Sequence, residues 1–168
     1  MAWPCLHADV LGPFANPGAS MPVPPLTSEG LLPPGIHDCS LEDVRARFGR
    51  FQGSDQRPRL WNQLLELVSA MQTSGLCEAL LVDGSFVTEK PAPNDVDILA
   101  VLRPGHNFER ELSAAEYALV SRTLLRRRFG FDVLLAESGT RLYETYIEFF
   151  SRVRERPSLR KGLLRLQL

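Results

Sequence analysis

From Ala79 to Leu102 the chain passes through an apolar run, a glycine turn, two closely spaced acids and a second apolar run. This passage constrains the fold more than any other part of the sequence. Ala79-Leu80-Leu81-Val82 has strand length and no polar interruption, and Asp83-Gly84-Ser85 ends it. Ser85 begins a single helical turn that Pro91 and Pro93 terminate. Asp95 and Asp97 then open a second strand. Side chains alternate along a strand, so these two carboxylates share a face about 7 Å apart, while Val96 and Ile98 point into apolar packing. Leu99-Ala100-Val101-Leu102 continues without alternation, as a strand covered on both faces does.

The residue types suggest phosphate chemistry. A Gly-Ser turn offers backbone N–H groups and a hydroxyl to phosphate oxygens, and Gly84 allows the backbone to approach them closely. Two carboxylates side by side repel unless a cation sits between them, and hard oxygen ligands suit Mg²⁺ or Mn²⁺. A two-metal site needs a further carboxylate from a neighbouring strand, and Phe131-Asp132-Val133-Leu134-Leu135 supplies one. Ser85 lacks the G-x-S-x-G elbow and any nearby histidine, so phosphate contact is favoured over a nucleophilic role. For Lys90 two roles stay open, a triphosphate contact or a solvated loop lysine.

Taken in order, Gly84-Ser85, Asp95-Val96-Asp97 and Phe131-Asp132-Val133 resemble the three signature elements of the polymerase-beta-like nucleotidyltransferase superfamily. Within it the chain looks like the minimal single-domain bacterial members. Leu32-Pro33-Pro34-Gly35-Ile36-His37 and Lys161-Gly162 resemble an uncharacterised subgroup of these. The superfamily resemblance covers residues 59–136, and the subgroup extends it to 31–168. The resemblance implies transfer of an NMP group from ATP or another NTP to an acceptor hydroxyl on a protein, an RNA or a small molecule. It implies Asp95, Asp97 and Asp132 as metal ligands and catalytic residues, with Gly84, Ser85 and Lys90 on the nucleotide. It also implies an alternative, a toxin–antitoxin-type binding module with little or no turnover, and with either reading a protein partner or a homodimer. Asp83 departs from the superfamily, which has an apolar residue there; this fourth acid either helps hold metal or caps the turn.

Length and charge set the outer limits. The 168 residues suffice for one domain with a core of its own. The net charge of −1 is unevenly spread. Residues 35–102 hold six basic and ten acidic side chains, whereas residues 103–168 hold thirteen basic and eight acidic. A basic second half could meet phosphates that metals leave uncompensated. Arg126-Arg127-Arg128 offsets a helix C-terminus or grips a nucleic acid, but no basic–aromatic stacking pattern accompanies it, so nucleic acid is not specifically indicated. No apolar run approaches the ~20 residues of a membrane span. The first residues lack the basic and apolar regions of an export signal, so a cytoplasmic location is expected. Cys5, Cys39 and Cys77 read as reduced thiols, with no C-x-x-C pair. His37 and His106 read as loop residues.

The elements read as an α/β (α+β) fold, a small mixed sheet flanked by helices. Residues 1–30, with six prolines and no periodicity, read as a flexible arm, and residues 31–168 as the domain. A short helix starts at about Ser40, where Asp43 at N3 can partly imitate a capping box. Leu60, Trp61, Leu64, Leu65, Val68 and Met71 stripe a second helix that ends at Gly75. Ser113-Ala114-Ala115-Glu116 is a further capping box, opening a helix read as continuous to Arg128, with Leu112 and Tyr117 as its staple. A last helix carries Leu142, Tyr143, Tyr146, Ile147, Phe150 and Val153, and its four aromatics, Phe149 included, read mostly as core. Leu163 to Leu168 reads as an edge strand.

Overall fold

A computed structural model describes residues 22–105, 107 and 109–168. Most of the proline-rich arm, Cys5 and His106 therefore lie outside the described residues. Within the described part of the arm, Val23 and Leu26 pack on the core, and the Gly30 carbonyl accepts from the Glu89 N–H at 3.0 Å. The packed domain thus begins before residue 31.

Local chemistry accounts for the helices. Ser40 caps α1 (Leu41–Val44) in a capping box with Asp43, and a π turn over Arg45–Gly49 follows. Helix α2 (Gln56–Ser74) buries Leu60, Trp61, Leu64, Leu67, Val68 and Met71. It stops at Gly75, whose φ of 65° is readily adopted only without a Cβ. The box at Ser113 opens α3 (Ala114–Val120), but that helix does not run on to Arg128. Ser121 takes an extended conformation and divides it from α4 (Arg122–Phe129). Tyr117 stays 57% exposed. The last helix, α5 (Arg141–Ser151), buries Tyr143 and Phe150. Val153 lies beyond it, in the short hairpin of β5 (Arg152–Val153) and β6 (Arg156–Arg160).

The main sheet is mixed, in the order β1-β7-β2-β3-β4. Its strands are β1 (Ile36–Asp38), β2 (Cys77–Asp83), β3 (Asp97–Leu102), β4 (Asp132–Glu137) and β7 (Leu163–Gln167). Strands β2 and β3 are antiparallel, β4 runs parallel to β3, and β1 runs parallel to β7. Leu80, Val82, Ile98 and Ala100 face the cluster built on α2. Ala79, Leu81, Leu99 and Val101 face Tyr143 and Phe150 of α5. Apolar side chains on both faces explain why these strands lack alternation.

Strand β7 is interior, not the edge that its terminal position suggested: it pairs with β2 on one side and β1 on the other. Burial of Leu163, Leu164 and Leu166 makes this placement favourable. The Asp38–Arg165 register pair closes the outer side with two charge-assisted hydrogen bonds of 2.6 and 2.7 Å. His37 is likewise not in a loop. It lies in β1, with Nε2 2.7 Å from the Pro33 carbonyl oxygen.

The Leu32–His37 and Lys161-Gly162 segments, far apart in sequence, meet here. The Gly162 N–H donates to the Leu32 carbonyl at 3.0 Å, and that of Leu163 to Gly35 at 2.9 Å. A Cβ on Gly162 would stand 2.0 Å from the Pro33 carbonyl oxygen. Gly162→Ala is therefore expected to lower unfolding free energy by about 3 kcal/mol, the upper end for overpacking. Urea denaturation checks this, and an unchanged midpoint would mean that the two segments are not in contact.

Candidate functional site

Three aspartates occupy one row across the sheet. Asp83 ends β2, Asp97 begins β3 and Asp132 begins β4, and the registers pair Asp83 with Asp97 and Asp97 with Asp132. Directly opposite residues project to the same face. That face is the one covered further along by α5. Asp95 lies two residues before Asp97, beside the Gly84-Ser85 turn. A cavity of about 500 Å³ opens over Asp83, Asp95 and Asp97, with Phe149, Arg154 and Lys161 among its other walls.

Gly84 is required by the chain itself. Its φ is 91°, and a Cβ would meet the Asp95 carbonyl oxygen at 2.8 Å and the Asp97 nitrogen at 3.0 Å. The turn is thus pressed against the strand that carries the acids. Ser85 starts a 3₁₀ turn over Ser85–Val87, and its hydroxyl donates to the Asp95 carboxylate. The same oxygen accepts from the N–H groups of Asn94 at 2.9 Å and Asp95 at 3.3 Å. In this structure Ser85 fixes where Asp95 points.

Arg57 holds the far side of this loop. It is fully buried and donates to the carbonyls of Phe48 (3.3 Å), Phe86 (2.8 Å), Thr88 (2.8 Å) and Lys90 (2.5 Å). The rings of Phe48 and Phe86 each lie 5.9 Å from its guanidinium carbon. Burial lowers its pKa, as does the nearby Arg47. Sequence reasoning passed over Arg57, although a cation in the first turn of α2 opposes the helix dipole and so called for another partner. Lys90 is exposed and does not line the cavity; what it contributes here is its carbonyl.

Each acid but one has a partner. Asp83, 2% exposed, takes two hydrogen bonds of 2.7 Å from the Lys161 ammonium. It also accepts from the Gly84 N–H, so of the two roles the sequence left open it takes up the turn contact, with Lys161 as a partner that the sequence did not indicate. Burial pushes its carboxyl up to about 6 against the pull of Lys161 and the Gly84 N–H, with Asp97 adding to the rise. Asp132 lies 3.5 Å from Arg122 and 3.6 Å from Arg126. The break at Ser121 gives these two arginines a helix of their own. Asp97 has no hydrogen bond or ion pair among the described residues. Burial raises its pKa, Asp95 raises it further, Lys161 and Arg154 lower it, and Asp132 raises it.

Among the described residues, no three acid, histidine or cysteine side chains are gathered closely enough to hold a metal ion together. Asp132 is engaged by Arg122 and Arg126, and Asp95 by Ser85. The donor set nonetheless suits a hard divalent cation: Asp97 carries a charge that its neighbours disfavour and that a cation would relieve. Lys161, Arg154 and Phe149 are among the wall residues to which the sequence reading gave no site role. Phe149, grouped there with the core, is 57% exposed, while Phe150 beside it is 6% exposed.

The raised pKa of Asp83 fixes a pH dependence. A carboxyl that binds its proton more tightly when folded stabilises the fold fully below about 3.8 and loses this as pH rises through about 6. Relative to Asp83→Asn, the wild type should therefore lose roughly 3 kcal/mol of unfolding free energy between pH 3.8 and 7. Paired urea titrations across that range check the sign, and a difference that grows with pH would refute it.

Over residues 24–167 the chain matches the model of a family of unknown function, DUF6932, and it belongs to that family. No curated protein and no solved structure matches it.

Proposed function

We propose that this member of DUF6932 is a metal-dependent nucleotidyltransferase, moving an NMP group from an NTP to an acceptor hydroxyl with release of pyrophosphate. The observation that carries this reading is the register itself. Asp97 stands directly opposite Asp132 and two residues after Asp95, beside the Gly84-Ser85 turn and open to a cavity of about 500 Å³. That volume falls in the range of a site for one small molecule or cofactor.

Asp95, Asp97 and Asp132 would hold Mg²⁺ or Mn²⁺. When bound, such ions neutralise phosphate charge and favour in-line displacement. The chain's own groups do the rest. Gly84 and Ser85 would border the β- and γ-phosphates. The Lys161 ammonium has three donors, two of them taken by Asp83, and its third would be left for a phosphate oxygen. Arg154, with no ion pair among the described residues, would meet the charge that builds on the departing pyrophosphate.

In the reaction, the acceptor oxygen bonds to the α-phosphorus and its proton passes to an Asp132 carboxylate oxygen. The bond from the α-phosphorus to the bridging oxygen breaks, and pyrophosphate takes that electron pair. Asp132 must leave Arg122 and Arg126 for this role. Both contacts are long and solvent-exposed, and exposed pairs of this kind contribute only about 0–1 kcal/mol.

No helix among the described residues is long and apolar enough to cross a membrane. The reading suits the cytoplasm, where NTPs and Mg²⁺ occur together.

Asp97→Asn is expected to reduce Mg²⁺-dependent transfer of label from an α-labelled NTP to acceptors in a cell extract by about a thousandfold or more, which is about 4 kcal/mol. Its melting temperature should hold or rise, because a repelled, half-buried charge is removed. EDTA should abolish ATP binding to the wild type. Equally tight binding in EDTA, or full labelling by the variant, would rule the reading out.

A further inference from the structure

Phe149 is one of four large hydrophobic side chains left exposed among the described residues, the others being Phe51, Tyr117 and Leu142. A scattered exposed apolar residue needs no explanation. Phe149 differs from the other three in its position, since it alone lines the cavity that holds Asp95 and Asp97. Its ring is held from behind: the centroid lies 5.6 Å from that of buried Phe150, with the planes tilted by 56°. The neighbouring Arg152, also on the cavity wall, is engaged by Glu148, to which its Nε and Nη2 donate at 3.1 and 3.0 Å. The Phe149 ring, 57% exposed and backed by Phe150, thus borders the same cavity as Asp95 and Asp97.

We propose that Phe149 is the nucleobase platform of this site, binding the base of a nucleoside triphosphate by stacking and without reading its edge. The inference rests on the nucleotidyltransferase reading and adds to it the means of base recognition. Stacking tolerates any base, because every base has a π face. Selection of one base needs donors and acceptors aimed at its edge. No asparagine or glutamine side chain lines the cavity; its carboxylates are Asp83 and Asp97 of the row and Asp95 beside the turn, and its hydroxyls, Ser85 and Thr88, donate to Asp95 and to the Ser85 carbonyl. Arg154, Val153 and Pro157 add cationic and apolar surface, not an amide edge. The substrate class that follows is NTPs at large, with purines favoured by their larger stacking area.

Equilibrium binding of ATP, GTP, CTP, UTP and inorganic tripolyphosphate, all with Mg²⁺, tests this on the full chain. The wild type should bind the four nucleotides within about tenfold of one another, and each more tightly than tripolyphosphate. Phe149→Ala should weaken nucleotide binding about 5- to 150-fold and leave tripolyphosphate binding unchanged. Phe149→Tyr should restore nucleotide affinity, and an unchanged melting temperature would confirm that both variants fold. One base preferred more than about 100-fold would overturn the inference, since that requires edge contacts. Equal loss of nucleotide and tripolyphosphate binding in Phe149→Ala would also overturn it. Wild-type binding of tripolyphosphate without any gain from a base would overturn the platform and spare the phosphate site. Binding of neither would remove the underlying reading and the platform with it.

Discussion

Like charges at one register of a sheet are the constraint on which this structure depends. Three strands place aspartates side by side, where like charges directly opposite one another destabilise the pairing unless they are offset. Two different solutions flank the row. Asp83 goes inside and takes a lysine delivered by the β6–β7 connection. Asp132 stays outside under two arginines of a helix that breaks from its predecessor to present them. Asp97, between them, has neither among the described residues, and it lines the cavity. Several features with no direct place in the chemistry serve this arrangement. Gly162 packs beneath the Pro33 carbonyl, β1 pairs with β7, and together they fix where Lys161 emerges.

A second device keeps the loop beside the row in place. Arg57 gathers four carbonyls from two segments into the interior, a task that otherwise falls to backbone N–H groups in a regular element. Its charge is spread over those oxygens and over two aromatic faces, without a carboxylate. An anionic partner there would add negative charge near a site already crowded with it. The guanidinium fork also suits this position in a way that a lysine would not, because several carbonyls in different directions need donors in a fixed geometry.

How much of this was legible follows from where the determinants sit. Elements defined by neighbours in sequence were readable. The capping boxes at Ser40 and Ser113, the Gly75 stop and the two-faced strands all formed as their patterns indicate. Asp97 and Asp132, each set between apolar residues, stood out as acids at the starts of strands, and the sheet does align them; Asp95, read as part of the same strand, lies ahead of β3. Determinants that act across the chain were not readable. Lys161 lies 78 positions from Asp83, and nothing near either residue announces the other. The interior place of β7 depends on β1, a three-residue strand too short to show periodicity. Phe149 and Phe150 look alike by helical spacing, and only the covering of one by the sheet separates them. Ser121 broke a helix that its neighbours' propensities would have continued.

The central position of β7 also has a consequence for the order of assembly. Strands β2 and β3 lie close in sequence and can pair as soon as both leave the ribosome, whereas β7 follows β2 by some eighty residues. Until it arrives, β2 has an open edge of unpaired backbone groups, and Asp83 has no counter-ion. Such an edge is a template for pairing with another chain. The sheet is therefore most vulnerable to aggregation just before β7 emerges, and β7 ends that interval by closing the hydrogen-bond ladder and delivering Lys161 together.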